Sequence, residues 1–170
     1  MAASVTRKWV QRGSRPKVAS APGRASVPYS GYVVPGTGEL VVTKPGRFNY
    51  ETVIQSLRDF AARRPAGECE RFYVVLDNAP WHRKAARLVR DEALEEYADV
   101  REALELVSLP PYSPDLNPIE QVWRVARREV THNRYFPDAR TLEEKLDGYF
   151  EGYREPNAKL ASLCTFKHKN

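Results

Sequence analysis

Three prolines within five residues, Pro110, Pro111 and Pro114, interrupt the chain between an apolar run and an amphipathic segment. No regular element crosses such a break, so the fold has to be arranged around it. Before it, Leu106 to Leu109 reads as a short buried strand. After it, Asn117 suits a helix cap and Pro118 the first helical position. Ile119, Val122, Trp123, Ala126 and Val130 then recur at helical spacing. The pattern predicts a helix over 117–131 that fixes Glu120 in its first turn, just past the end of a strand. Taken alone, Asn117 and Glu120 have the spacing of a capping box.

A second acid changes the weight of the first. Arg71-Phe-Tyr-Val-Val-Leu76 is a β-rich apolar run that ends in Asp77, and Asn78-Ala-Pro-Trp-His82 follows as a turn. A carboxylate at the C-terminal end of a strand is an ordinary turn residue or, in an α/β sheet, part of the edge where ligands bind. Asp77 and Glu120 both fall at strand exits. They are therefore expected to converge on one sheet edge.

The two segments together resemble a known family. Asp77-Asn-Ala-Pro-Trp-His82 and Leu109-Pro-Pro-Tyr-Ser-Pro-Asp-Leu-Asn-Pro-Ile-Glu120-Gln-Val-Trp123 are similar to the second and third acidic motifs of the DDE transposases of the bacterial IS630 and eukaryotic Tc1/mariner superfamily. Arg7-Lys-Trp-Val-Gln-Arg-Gly-Ser-Arg-Pro16 is similar to that family's Trp-x-x-x-Gly segment. The resemblance covers roughly residues 7 to 150. It implies a ribonuclease H-like α/β fold, a mixed sheet flanked by helices. It also implies metal-dependent DNA strand cleavage and transfer, with Asp77 and Glu120 as catalytic and metal-holding acids. Two Mg²⁺ (or Mn²⁺) ions are expected in the complete site, because ions about 3.5–4 Å apart stabilise both the entering and the leaving oxygen of a phosphodiester. Asp and Glu are the hard oxygen donors that Mg²⁺ prefers.

The sequence departs from the family's pattern in two respects, of which the lesser is a longer separation of Asp77 from Glu120, attributed to the acidic 91–105 stretch. The family uses three acids, the first on a strand upstream of the Trp9 segment, and here no Asp precedes Asp59. Asp59 lies between helical-face residues and reads as a surface group. The expectation is a partial DDE endonuclease domain over 1–155 that lacks its first strand, with a C-terminal tail over 156–170. Whether such a chain is an enzyme is left open. The alternative is a catalytically inactive DNA-binding or regulatory remnant of a transposase, and a weaker one is a different nuclease of the same fold.

Charge bears on the partner. The net charge of +5 is unevenly spread: residues 1–48 sum to +7, residues 49–120 to −5 and residues 121–170 to +3. An acidic middle between basic flanks suits a metal centre beside a phosphate-binding surface, although many basic domains simply carry a mixed solvated surface. The expected partner is DNA, both transposon ends and target, bound by a homodimer or higher assembly. Arg124, Arg127 and Arg128 share the helix of Glu120 and are candidate phosphate contacts, or else a solvated face. His82 reads either as a phosphate contact near Asp77 or as a helix-start surface residue. Asn78, the other candidate DNA contact, either orients Asp77 or only makes the turn, and the turn is the favoured reading. Trp123 reads as core packing rather than base stacking, and Tyr112 either packs or touches DNA, with packing the favoured reading.

The remaining elements follow from local pattern. Lys17–Ser20 is a candidate strand. Val27–Val34 and Glu39–Thr43 about Pro35-Gly-Thr-Gly38 read as an antiparallel hairpin. Asn49 caps a helix to about Arg64, and Pro80 starts another to about Tyr97. Residues 91–105 extend that helix or form a new one. Thr141 reads as the cap of a last helix to about Tyr153, with a frayed tail after Pro156. No apolar stretch reaches membrane-spanning or signal-peptide form, and Cys69 and Cys164 lack disulfide or zinc spacing, so a cytoplasmic, nucleoid-associated protein with reduced thiols is expected.

Overall fold

The computed structural model describes residues 1, 2, 4, 6, 12, 14, 26–63 and 72–165. The Trp-x-x-x-Gly segment, apart from Arg12 and Ser14, lies outside the described residues, as do the candidate strand Lys17–Ser20 and Cys69. The chain forms two compact units, one of Met1–Lys44 with Pro118–Asn170 and one of Pro45–Asn117. The described strands give both pairings expected of a mixed sheet, divided between two sheets of two strands each.

In the first unit β1 (Ser30–Val34) and β2 (Glu39–Thr43) make the expected hairpin, with Val34 opposite Glu39. Gly38 closes the turn with φ +70°, in the left-handed region where a side chain is strained. A Cβ there would also lie 2.0 Å from the Asn157 carbonyl oxygen, so this turn admits only glycine. The hairpin is tied to α5 (Ala139–Glu151): the Tyr29 hydroxyl donates to Asp147 at 2.9 Å, and the Lys44 ammonium to Glu143 and Asp147 at 2.6 and 2.7 Å. Behind these bonds Leu40, Val122, Ala126, Leu142, Leu146 and Phe150 form the core. Trp123 belongs to it as expected, edge-on to Phe150 and close enough to Gly31 that a Cβ there would stand 2.8 Å from the indole.

Two expectations for the C-terminal region are corrected. The helix α5 is capped by Asp138, whose carboxylate accepts from the Thr141 amide at 2.7 Å. A carboxylate also complements the helix dipole, so Asp138 outcompetes Thr141 as cap. Of the expected frayed tail, residues 157–165 are ordered, because Ala158–Cys164 forms α6, and 166–170 lie outside the described residues. Asn157 caps it by accepting from the amides of Lys159 and Leu160, and Leu160 and Cys164 are buried in the core.

In the second unit β3 (Phe72–Leu76) pairs in parallel with β4 (Leu104–Ser108), from Phe72 opposite Leu104 to Leu76 opposite Ser108. The core is built by Val74, Leu76, Leu104 and Leu106 of these strands and by helices α1 (Tyr50–Ala62) and α2 (Pro80–Arg90). Asn49 caps α1 in a capping box with Thr52, and Val53, Ile54, Leu57 and Phe60 are its buried face. Both strands read from the sequence as buried. Instead Tyr73, Val75 and Val107 are exposed, so burial alternates along each strand.

The helix from Pro80 ends at Arg90, seven residues short of the expectation. A 3₁₀ turn at Glu95–Tyr97 and α3 (Ala98–Ala103) follow, so 91–105 supplies a new helix. The Arg101 guanidinium explains the break, since it donates to the carbonyls of Val89, Asp91 and Leu94 and satisfies the chain where α2 stops. Among the described residues no helix is long and apolar enough to cross a membrane.

Candidate active site

Asp77 leaves the end of β3 as the sequence predicts. Parallel pairing continues one step past the strands, with the Leu109 amide donating to the Leu76 carbonyl at 2.9 Å. The Asn78 side-chain amide donates to the Leu109 carbonyl at 2.6 Å. Asn78 therefore clamps the two strand exits together through one of its two amide N–H donors, a role beyond that of a turn residue.

His82 turns toward Asp77 and not out to solvent. Its ring Nδ1 is bonded to Asp77 Oδ1, and its side chain is only 20% exposed, so it is no surface residue. A carboxylate accepts, which places the proton on Nδ1. The Ala79 amide donates to the same oxygen at 2.9 Å. The hydrogen bond from His82 holds the Asp77 carboxyl below its ordinary pKa; partial burial opposes this and the Ala79 amide reinforces it. Asp77 Oδ2 makes no hydrogen bond among the described residues, and the side chain is half-exposed. The site thus offers one ionised, oriented, open oxygen, the donor type a hard cation takes.

A lowered folded-state pKa means the pairing stabilises the protein above the ordinary carboxylate pKa and that this contribution is lost as pH falls through the folded value. In a ¹³C titration the Asp77 carboxyl is expected to have its midpoint below the ordinary value of about 3.9. His82→Ala should move the midpoint upward. A midpoint at or above the ordinary value in the unsubstituted protein would contradict the pairing.

Glu120 occupies the first turn of α4 (Pro118–Ala126), in the other unit from Asp77. A turn of π-helix, Arg127–Thr131, extends α4, with the His132 amide donating to the Arg127 carbonyl at 2.8 Å. Seven helical residues fall about 20° short of two turns, which brings Arg127 above Glu120. Its guanidinium stands 3.9 Å from Glu120 Oε2, a loose pair between half-exposed groups. Arg128 is similarly loose on Glu129, at 3.9 Å, and its side chain is 70% exposed. Pairs of this kind hold weakly and leave the guanidinium exchangeable. Arg124 lies on α4 between them and Glu120. Among the described residues no three His, Cys, Asp or Glu side chains are grouped closely enough to hold one metal ion.

Two features escaped the sequence reading. Helix α2 directly follows Asp77 and carries Arg83, Lys84, Arg87 and Arg90 with no acid. Lys84 sits 3.7 Å over the Tyr50 ring and Arg90 donates to the Leu106 carbonyl. Arg83 and Arg87, spaced by four, are exposed and make no ion pair with any described residue. That spacing without an intervening acid was the available signal. The second feature is the full exposure of Tyr112, where packing was the favoured of its two readings.

A parallel strand pair with an ionised acid at one exit, helices that back it and a separate hairpin unit make this an α/β protein, and the ribonuclease H-like class of its fold comes from likeness to a solved structure. Residues 2–143 match the family described as DDE superfamily endonuclease, and the chain belongs to that family. The fold is similar to that of a chain in the crystal structure of the Mos1 strand transfer complex, with a TM-score of 0.54 and 21% identity, covering 95% of this chain and 48% of that one. A 65-residue stretch is 37% identical to the uncharacterized protein y4pE/y4sA of Sinorhizobium fredii, over 38% of this chain and 40% of that protein. The chain thus spans about half the length or less of both relatives.

Proposed function

We propose that this chain supplies two metal-holding acids, Asp77 and Glu120, to a transposase-type site for DNA strand cleavage and transfer. The observation that carries the reading is the Asp77 carboxylate: ionised, oriented by His82 and Ala79, and open at Oδ2, at a strand exit within the family-matched residues. Mg²⁺ or Mn²⁺ held there would stabilise charge on the entering and leaving phosphodiester oxygens. The protein's own part is simpler. His82 fixes the direction of the Asp77 oxygen, and Asn78 holds the strand exit that carries it. Arg83 and Arg87 on α2, with Arg124, Arg127 and Arg128 on the helix of Glu120, meet DNA phosphates. The proposed partner is DNA, engaged by more than one copy of the chain in the cytosol. An inactive DNA-binding role is the second reading, favoured by Arg83 and Arg87, exposed cations that meet phosphates without a metal.

Fluorescence anisotropy on short duplexes of unrelated sequence tests the shared DNA-binding part. Affinity should be similar across sequences and fall with salt, at a log–log slope of about −0.9 per phosphate neutralised. Arg83→Ala with Arg87→Ala should weaken all duplexes alike and make the slope shallower by roughly one per lost contact. Salt-independent affinity, or no binding at low salt, would overturn the proposal.

A further inference from the structure

The loop between β4 and α4 holds an aromatic ring that the fold itself does not use. Tyr112 is wholly exposed, at 103% of its reference area, and its backbone has φ +58°. A bulky L-residue rarely adopts that conformation, and such outliers collect where a binding site fixes them. The loop around it is braced. Pro110, Pro111 and Pro114 have fixed φ. The Ser113 hydroxyl donates to the Pro111 carbonyl at 3.2 Å, and the Leu116 amide to the Ser113 carbonyl at 3.1 Å. The ring is therefore held out by a restricted backbone.

Its position relative to Asp77 follows from the strand exits. Leu109 is bonded through its amide to Leu76 and through its carbonyl to Asn78, the two neighbours of Asp77. Tyr112 is three residues further on, at most about 11 Å from Leu109 between Cα atoms. The exposed ring thus stands beside the acid-bearing end of the parallel strand pair.

The surroundings select among ligands. An aromatic anchor for a protein partner sits in a packed patch whose rim excludes water. Around Tyr112 the loop offers Pro110, Pro111, Asp115 and a 45% exposed Leu116, and the ring's own surface is wholly open. A lone ring with open faces instead meets a flat π-system, and base–aromatic stacking requires no further side chain and no particular base. We propose that Tyr112 stacks on an unpaired nucleobase of the DNA strand presented to the Asp77 edge. The inference rests on the DNA-binding reading above and adds to it a residue that distinguishes opened from paired DNA.

The test uses the full chain with two probes, a fully paired duplex and the same duplex carrying one unpaired 2-aminopurine. The unsubstituted protein should bind the second probe more tightly and quench its fluorescence. Tyr112→Ala should weaken binding to the unpaired probe by about tenfold, within the range of one stacked base, and abolish the quench. The same variant should change paired-duplex affinity less than twofold. Tyr112→Phe and Tyr112→Trp should retain both affinity and quench. If Tyr112→Ala binds the two probes like the parent, the stacking proposal is overturned while the DNA reading stands. If the parent binds neither probe, both fall. Loss of self-association in sedimentation, with probe binding unchanged, would assign the ring to a second copy of the chain and overturn the proposal.

Discussion

Incubated with supercoiled DNA and Mg²⁺ or Mn²⁺, the 170-residue chain is expected to bind the DNA and leave it uncut. Of its acids, only Asp77 and Glu120 fall where the family resemblance places metal-holding carboxylates, and each meets a side chain of its own unit, His82 or Arg127. A metal pair needs enough oxygens to hold both ions in register. Losing one positioned electrostatic stabiliser commonly costs roughly 10²–10³ in rate, and losing a metal's registration costs at least as much. Phosphate binding by arginines needs none of these oxygens, so binding and cleavage separate. Asp77→Asn with Glu120→Gln should even tighten DNA binding at low salt, by removing two negative charges near the phosphates. Agarose-gel nicking beside a mobility-shift assay reads both outcomes. Robust metal-dependent cleavage that disappears on Asp77→Asn would show that another side chain completes the ligand set.

What the sequence could disclose was whatever local pattern determines. The hairpin was legible because two β-rich runs flank Pro35-Gly-Thr-Gly38, and only Gly38 tolerates the left-handed turn. Asp77 and Glu120 were placed correctly on their elements because an apolar run ends at Leu76 and an Asn-Pro pair starts α4. The bond from His82 to Asp77 was not legible, because a five-residue spacing across a strand–helix turn matches no periodicity. The end of α2 at Arg90 was hidden for a related reason: the acidic stretch after it has good helix formers, and the break depends on Arg101 returning from another helix. Tyr112 was misjudged because an aromatic residue among prolines usually packs, and exposure is a property of tertiary structure alone.

The same limit explains α6, where the largest stability effect is expected. Seven residues form too short a helix to persist alone, so Ala158–Cys164 exists because it docks. Leu160 is 1% exposed in the core shared with α4 and α5, and the Cys164 thiol lies 3.7 Å from the Pro118 carbonyl at the start of α4. Asn157 fastens the other end, its amide donating to the Thr37 carbonyl of the hairpin turn at 3.0 Å. Leu160→Ala leaves a cavity at a site surrounded by secondary structure, and such truncations cost about 2–5 kcal/mol. Urea denaturation followed by tryptophan fluorescence should register that loss, since Trp123 lies in the same unit. Hydrogen exchange should quicken in α4, whose first turn carries Glu120 and whose core face rests on α6. Gly38→Ala acts on the same contact from the hairpin side, so the double variant should lose less than the sum of the two singles. A Leu160→Ala cost below about 1 kcal/mol, with α4 exchange unchanged, would mean that the helix carrying Glu120 is held without α6.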